Sequence, residues 1–357
     1  LKQKVVGGVD LTAAGTLDSD EQDNSQSSSL SLKVSKQLLG GGSIEESLQA
    51  VRDSLINELI SRNSLAREKR SIKSEIQSLF YRVIQNTQAL EVEKRRLESA
   101  KKNLEHAIER DKPLDIATAK IEIPETELNL IKVERTIQSN LDDLKVLMGM
   151  SPDAVLVINE DFNFELLEFN INEDLIYAEK NDEHFINNSL NREILERSVR
   201  VRKENTQIDL DVSLSQNFKN SDSDNANLSG NDDQILSLNF GWDFGRREDK
   251  ARLAKSHNNL DENSVDRYIL RQNKFKELRG FNRDIEESSR SIVIQGQRIE
   301  LNETQIELYK DRWENGEIDI LEYIRSQNNL ESSRVQLIRL KTNYMDLVNK
   351  YLFEVGK

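Results

Sequence analysis

Cysteine is missing altogether from the 357 residues. Disulfides, thiolate metal sites and cysteine nucleophiles are thereby excluded. Proline occurs only 3 times and aromatic residues make up only 6% of the chain, which leaves little material for a thick globular core. There is no run of about eighteen apolar residues, so no helix is expected to span a membrane. Positive charge is in deficit, with 50 Lys and Arg against 64 Asp and Glu. That balance argues against nucleic acid as a partner and against attachment to an anionic surface through basic patches. The histidines His106, His184 and His257 are scattered, with no partner at metal-ligand spacing. His106 falls near a helix tip and reads as a surface histidine. No nucleophile motif comes with a placed histidine, and Gly40-Gly41-Gly42 lacks the lysine of a phosphate loop. No enzyme activity, no cofactor and no metal are expected. The chain opens at Leu1-Lys2-Gln3, without an initiator Met and almost inside a strand pattern. We expect its natural N-terminus to lie upstream, so a signal peptide or lipid anchor is not judged from it.

What is present is alternation. In Ile235–Phe244, Leu236, Leu238, Phe240, Trp242 and Phe244 point one way, and Ser237, Asn239, Gly241 and Asp243 point the other. Period two over about ten residues marks a strand with a different solvent on each face, and about ten tilted residues cross a bilayer. Aromatics collect at the lipid–water boundary, which makes Phe240, Trp242 and Phe244 candidate membrane-facing residues. The same alternation runs through Val5–Leu17, Ser29–Leu39 and Ile208–Ser215. Polar loops at 18–28 and 219–233 join these runs into two hairpins.

Each hairpin feeds a long helical pattern. Ser43 followed by Glu45 and Glu46 reads as an N-cap with acids in the first turn. From Ser43 to about Arg110 there is no proline or glycine, which predicts a helix roughly 100 Å long. Ile76, Val83, Leu90, Leu97 and Leu104 fall seven apart, as in a coiled-coil seam. After Arg110–Pro113 a second helix carries Leu130, Ile137 and Leu144, with a kink expected at Pro124. Arg246–Glu314 repeats the first helix with Ile285, Ile292, Ile299, Ile306 and Trp313, and Asp319–Val355 repeats the second with Leu330, Leu337, Tyr344 and Tyr351.

This order predicts an internal duplication at a shift of roughly two hundred residues. The first repeat is placed at 1–149, with a β-hairpin at 5–39 and helices at 43–148. A mixed segment follows at 150–190, with short strands suggested by Val155, Val157, Phe162, Phe164 and Leu166. The second repeat is placed at 191–357, with a helix at 191–204, a β-hairpin at 207–244 and helices at 246–355. The fold expected is an α+β membrane protein. Four strands cannot close a barrel, and an open edge in lipid leaves backbone groups unsatisfied. Several chains must then share one barrel, and three would supply about twelve strands. Long antiparallel coiled-coil helices, continuous with the strands, would form an α-helical barrel. A structural coiled-coil protein or a periplasmic adaptor, with its strands in soluble β domains, is the competing expectation.

The chain resembles the TolC family of outer-membrane efflux and secretion channels. Phe240-Gly-Trp-Asp-Phe-Gly-Arg-Arg247 is similar to the strand end and turn before that family's long helix. Trp313-Glu-Asn-Gly-Glu-Ile-Asp-Ile-Leu-Glu-Tyr-Ile-Arg-Ser-Gln327 is similar to its helix tip, and Pro113-Leu-Asp-Ile-Ala-Thr-Ala119 to the counterpart in the first half. The resemblance extends over the whole chain, apart from a helical segment that precedes the first hairpin in the family. It implies a homotrimer in the outer membrane of a Gram-negative cell, with a helical tunnel across the periplasm. The expected partners are a periplasmic adaptor, an inner-membrane pump and outer-membrane lipid. The channel would be a passive conduit of a tripartite efflux pump or of type I secretion. The resemblance also places Asp115 and Glu322 near the two helix tips, as rings of carboxylate at a periplasmic aperture. The family's lock on the first acid uses a Tyr and an Arg, positions that hold Trp313 and Ile318 here. The Trp313 indole N–H is then the expected donor to Asp115. A second acid ring of the family falls on Arg325, which would offset Glu322 one turn away.

Overall fold

The computed structural model describes residues 1–5, 9–20, 25–41, 43–158, 164–222, 233–241 and 245–357. Trp242, Phe244 and Phe162 lie outside the described residues. The chain divides into two compact units, 1–64 with 183–270 and 65–182 with 271–357.

The first unit holds a single antiparallel sheet of five strands in sequence order. These are β1 (Lys2–Val5), β2 (Val9–Asp20), β3 (Ser25–Leu39), β4 (Asp209–Asp222) and β5 (Asp233–Gly241). Four strands per chain were expected, and the described residues hold five. The extra one, β1, is 4 residues long and pairs with Val9–Thr12 at one end of β2. It was not legible because a strand this short gives too few positions to show a period. The register carries the alternation across the sheet. Val34 lies opposite Leu11 and Leu214, Leu214 lies opposite Leu236, and Val212 lies opposite Leu238. β4 continues to Asp222, past the loop start expected at Lys219, because its ladder with β3 runs out to Gln26.

Helix α1 (Ile44–Glu109) starts as expected, with the Ser43 hydroxyl accepting from the Glu46 backbone N–H at 3.1 Å. The close approach before it explains Gly40. A Cβ there would sit 2.7 Å from the Ile208 carbonyl oxygen and 2.8 Å from the Asp209 Cα, and the residue has φ +83. After β5 the chain turns through Gly245 (φ +87) and Arg246 (φ +35) into α5 (Arg247–Glu314). The Arg246 guanidinium binds the carbonyls of Asn205 and Gln207 and pairs with Asp209 at 2.5 Å. It ties the entrance of β4 to the exit of β5. Helix α4 (Glu183–Glu204) begins well before the expected Asn191. Its polar first turns hold Phe185, 1% exposed, and Glu183, which accepts from Ser64 at 2.8 Å. Those contacts, and not a sequence period, make that stretch helical.

The second unit is helical. It contains the later parts of α1 and α5 together with α2 (Pro113–Leu147), α3 (Ile171–Asn181) and α6 (Ile320–Val355). α2 runs through Pro124 as one helix. The apolar positions seven apart are all buried or half-buried, including Ile137, Leu144, Ile285, Ile292, Leu330, Tyr344 and Tyr351. α6 is the hub. Asn349 donates to the Ser74 carbonyl of α1 at 2.9 Å and Thr342 to Gln85 of α1 at 3.0 Å. Gln295 of α5 donates to the Ser333 carbonyl at 2.8 Å, and Asn328 donates to Glu122 of α2 at 3.0 Å. Short strands were expected around Val155–Leu166, but the described part holds none. Phe164 and Phe169 instead pack against Tyr344 and Tyr351, at ring distances of 5.4 and 4.3 Å. Side-chain packing on α6 replaces a strand ladder.

Arg246→Ala should lower the denaturant midpoint of the sheet by an amount worth about 2 kcal/mol or more, because it strips a charged donor from two carbonyls and a carboxylate. Far-UV circular dichroism during unfolding checks this.

Candidate functional site: a helix tip and a two-faced sheet

The tip belongs to the second unit and is built from two turns. The first, at Arg110-Asp111-Lys112, has Asp111 at φ +50, and Pro113 then opens α2. The second, at Asn315-Gly316, has Gly316 at φ +74, and the Gly316 N–H bonds the Trp313 carbonyl at 3.0 Å. Trp313 is 3% exposed and joins the two turns. Its ring stacks on Tyr323 at 5.2 Å and 8° between planes. The Arg110 guanidinium lies 4.6 Å from the Trp313 centroid, and the same group donates to the Trp313 carbonyl at 2.5 Å and to the Glu314 carbonyl. Arg110 therefore caps the C-terminal end of α5, where the helix dipole favours a cation, and also holds a cation–π contact. Ala107 and Ala119, both 0% exposed, leave room for the indole, with Ile320 and Ile324 beside it. Burial pushes the Tyr323 hydroxyl up, against a lowering hydrogen bond from Gln327.

Asp115 is 4% exposed, covered within its own protomer, while Glu322 and Arg325 are exposed. The expected bond from Trp313 to Asp115 is not made, since the buried indole Nε1 has no hydrogen-bond partner. The indole is instead held by its stacking on Tyr323 and its contact with the Arg110 guanidinium. His106 is exposed as expected, pairs with Glu109 at 3.4 Å and meets Trp313 edge-on.

Sequence reasoning missed Arg110, whose role depends on a turn that brings it to the far helix end. It also missed two exposed apolar stripes, Leu114, Ile121 and Leu128 on α2 and Ile294, Leu301 and Leu308 on α5. The signal for both was the same spacing of seven, on a second face of each helix.

The sheet of the first unit has two unlike faces. Val9, Leu11, Leu17, Leu30, Leu32, Val34, Leu214, Phe218, Leu236, Leu238 and Phe240 share one. Leu236, Leu238 and Phe240 on it are 74%, 67% and 64% exposed. The other face carries Thr, Ser and Asn, with Thr16 and Ser29 hydroxyls 2.6 Å apart and Asn239 donating to Asp211 at 2.9 Å. An exposed apolar face of this extent is the kind of surface that meets a partner or a membrane.

No protein-family model and no curated protein matches the sequence. Solved structures do match. CusC, a protein that undergoes transmembrane channel formation, superposes with a TM-score of 0.74 at 14% identity over 98% of this chain and 82% of its own. The outer membrane protein VceC from Vibrio cholerae gives 0.74 at 15% over 98% and 86%. The CmeC outer membrane channel of Campylobacter jejuni gives 0.70 at 16% over 98% and 77%. The chain has the fold of the TolC-family outer-membrane channels. At these identities the likeness to TolC-family channels is one of fold.

Arg110→Ala removes the cation–π contact and two hydrogen bonds to the end of α5. The tip should open locally by about 2 kcal/mol more readily, or roughly 30-fold faster amide exchange over 106–116 and 311–320. Hydrogen-exchange mass spectrometry reads this directly.

Proposed function

We propose that this protein is an outer-membrane exit channel, a homotrimer whose copies share one β-barrel and whose helices form a periplasmic tunnel. The observation that carries the reading is the exposed apolar face of a sheet whose long strands have 12, 15, 14 and 9 residues. That is the length a tilted strand needs to cross hydrocarbon. In lipid the two open edges of such a sheet must be paired, and identical neighbours supply the partners. The exposed stripes on α2 and α5 offer neighbouring copies a second contact of coiled-coil type. A soluble β sandwich would need a second sheet over Leu32, Leu214 and Leu238, and the described residues hold one sheet. In this reading the two sequence repeats, 1–149 and 191–357, supply two long strands and one hairpin of helices each.

In this reading the channel is passive and is not an enzyme. Cargo arrives from an inner-membrane pump through a periplasmic adaptor, in an efflux or type I secretion assembly. Asp115, Glu322, Arg325 and Trp313 belong to the aperture. Because Asp115 is covered inside the protomer, the exposed charge of that ring rests on Glu322 and Arg325. Their opposite signs leave the aperture less cation-selective than two acid rings would.

The purified chain should require detergent and sediment as a trimer, and a detergent-free soluble monomer would favour a structural coiled-coil protein instead. In planar bilayers Arg325→Glu should raise cation selectivity and Glu322→Gln should reduce it. Unchanged selectivity in both variants removes these residues from the aperture.

A further inference from the structure

In the second unit, side chains of α1, α2, α5 and α6 meet around Glu93. Its side chain is 15% exposed, and its Oε2 is buried without a hydrogen-bond partner. Arg96, one turn along α1, approaches that oxygen only to 3.9 Å. Arg96 is committed to Glu122 of α2 at 3.1 Å, and Asn328 of α6 donates to the same carboxylate oxygen at 3.0 Å. On α6, Glu331 has one oxygen paired with Arg334 at 2.7 Å, while its Oε2 is buried without a partner. Arg334 is shared in turn with Glu303 of α5 at 2.7 Å. Three mostly buried carboxylates, those of Glu93, Glu122 and Glu331, with the half-exposed Glu303 beside them, are thus set against the guanidiniums of Arg96 and Arg334. The Arg96 Nε is buried and unpartnered as well. A cavity of about 150 Å³ opens beside Arg96, lined by Asn103, Glu122, Gln327, Asn328 and Glu331, and admits water.

Excess buried negative charge needs a neutraliser. No group of His, Asp and Glu among the described residues is placed to hold a metal ion. Burial pushes the Glu93 carboxyl above the usual carboxylate range. Arg96 opposes this, and Glu331 and Glu122 add to it. We propose that Glu93 is a proton-binding residue whose neutral form tightens the packing of α1 against α2 and α6, making this bundle sturdier in mildly acidic than in neutral solution. A neutral Glu93 ends the repulsion from Glu122 and Glu331 and gains an O–H donor, and the cluster holds an unused buried acceptor in Glu331 Oε2. Because the folded protein holds this proton more tightly than the unfolded chain, the added stability is fully present below the unfolded carboxyl's pKa. It is lost as pH rises through the folded value. The inference stands on the helix packing alone and does not depend on the channel reading.

The test uses the full chain in detergent micelles, with amide protection factors along α1 measured between about pH 7.5 and about pH 5.5. In the wild type, protection around Glu93 should rise on acidification, by at most about tenfold per pH unit for one proton. Glu93→Gln should show the higher protection already at the neutral end and should lose that part of the rise. Glu331→Gln should shift the rise to lower pH. Infrared difference spectra should show a protonated-carboxyl band forming on acidification that is absent from Glu93→Gln. An unchanged pH slope in Glu93→Gln, or a carboxyl band that persists in it, overturns the proposal. So does lower protection at the neutral end in that variant.

Discussion

Apolar residues seven apart hold long helices together, but they cannot tell one register from another shifted by seven. The polar groups buried along α6 remove that ambiguity. Ser333 takes Gln295 and Asn302, Thr342 takes Gln85, Asn349 takes Ser74, and Gln327 takes Asn103. Each bond is worth only about 1 kcal/mol net, yet each buried partner left unmatched after a slip would cost about 1–3 kcal/mol. Specific register therefore comes from the penalty for mismatch more than from the strength of any bond. At its far end α6 is fixed by Tyr351, which donates to Asp174 at 2.6 Å while Lys357 pairs with the same carboxylate at 2.7 Å. Burial, and then Asp174, hold the Tyr351 hydroxyl far above its ordinary range, so it stays a donor.

The tip inherits its geometry from that fixed register. Trp313 and Tyr323 can stack only if the end of α5 and the start of α6 arrive at the same height, and Arg110 reaches them only if α1 does too. The sheet obeys a separate rule. Its backbone ladders set which side chains share a face, and the pairing of Val34 with Leu11 and Leu214 puts the greasy residues together. A slip of one residue would scatter them over both faces. The proposed channel needs both rules, one for a wall that lipid accepts and one for an end with a defined opening.

Much of this was legible in the sequence. Period two located β2 to β5, period seven located the seams, and the breaks at Gly40, Pro113 and Gly316 located the joints. What escaped had no period to show. β1 is too short, α4 starts in a polar stretch made helical by Phe185 and Glu183, and Phe164 and Phe169 are held by rings on a distant helix. At the tip the acids and Trp313 stood out by position, whereas Arg110 gains its meaning from two carbonyls some two hundred residues away. The indole's orientation was beyond reach for the same reason, since it is decided by what it stacks on.

Arg246 sits where two demands collide. A left-handed backbone favours glycine, and a larger residue there costs on the order of 1 kcal/mol. Glycine, however, offers nothing to the carbonyls of Asn205 and Gln207, which the guanidinium serves. Local comfort has been surrendered so that one side chain can bind the neighbouring crossing of the chain. A glycine at this place would relieve the backbone and lose the two carbonyl contacts, whereas alanine would keep the strain and lose them as well.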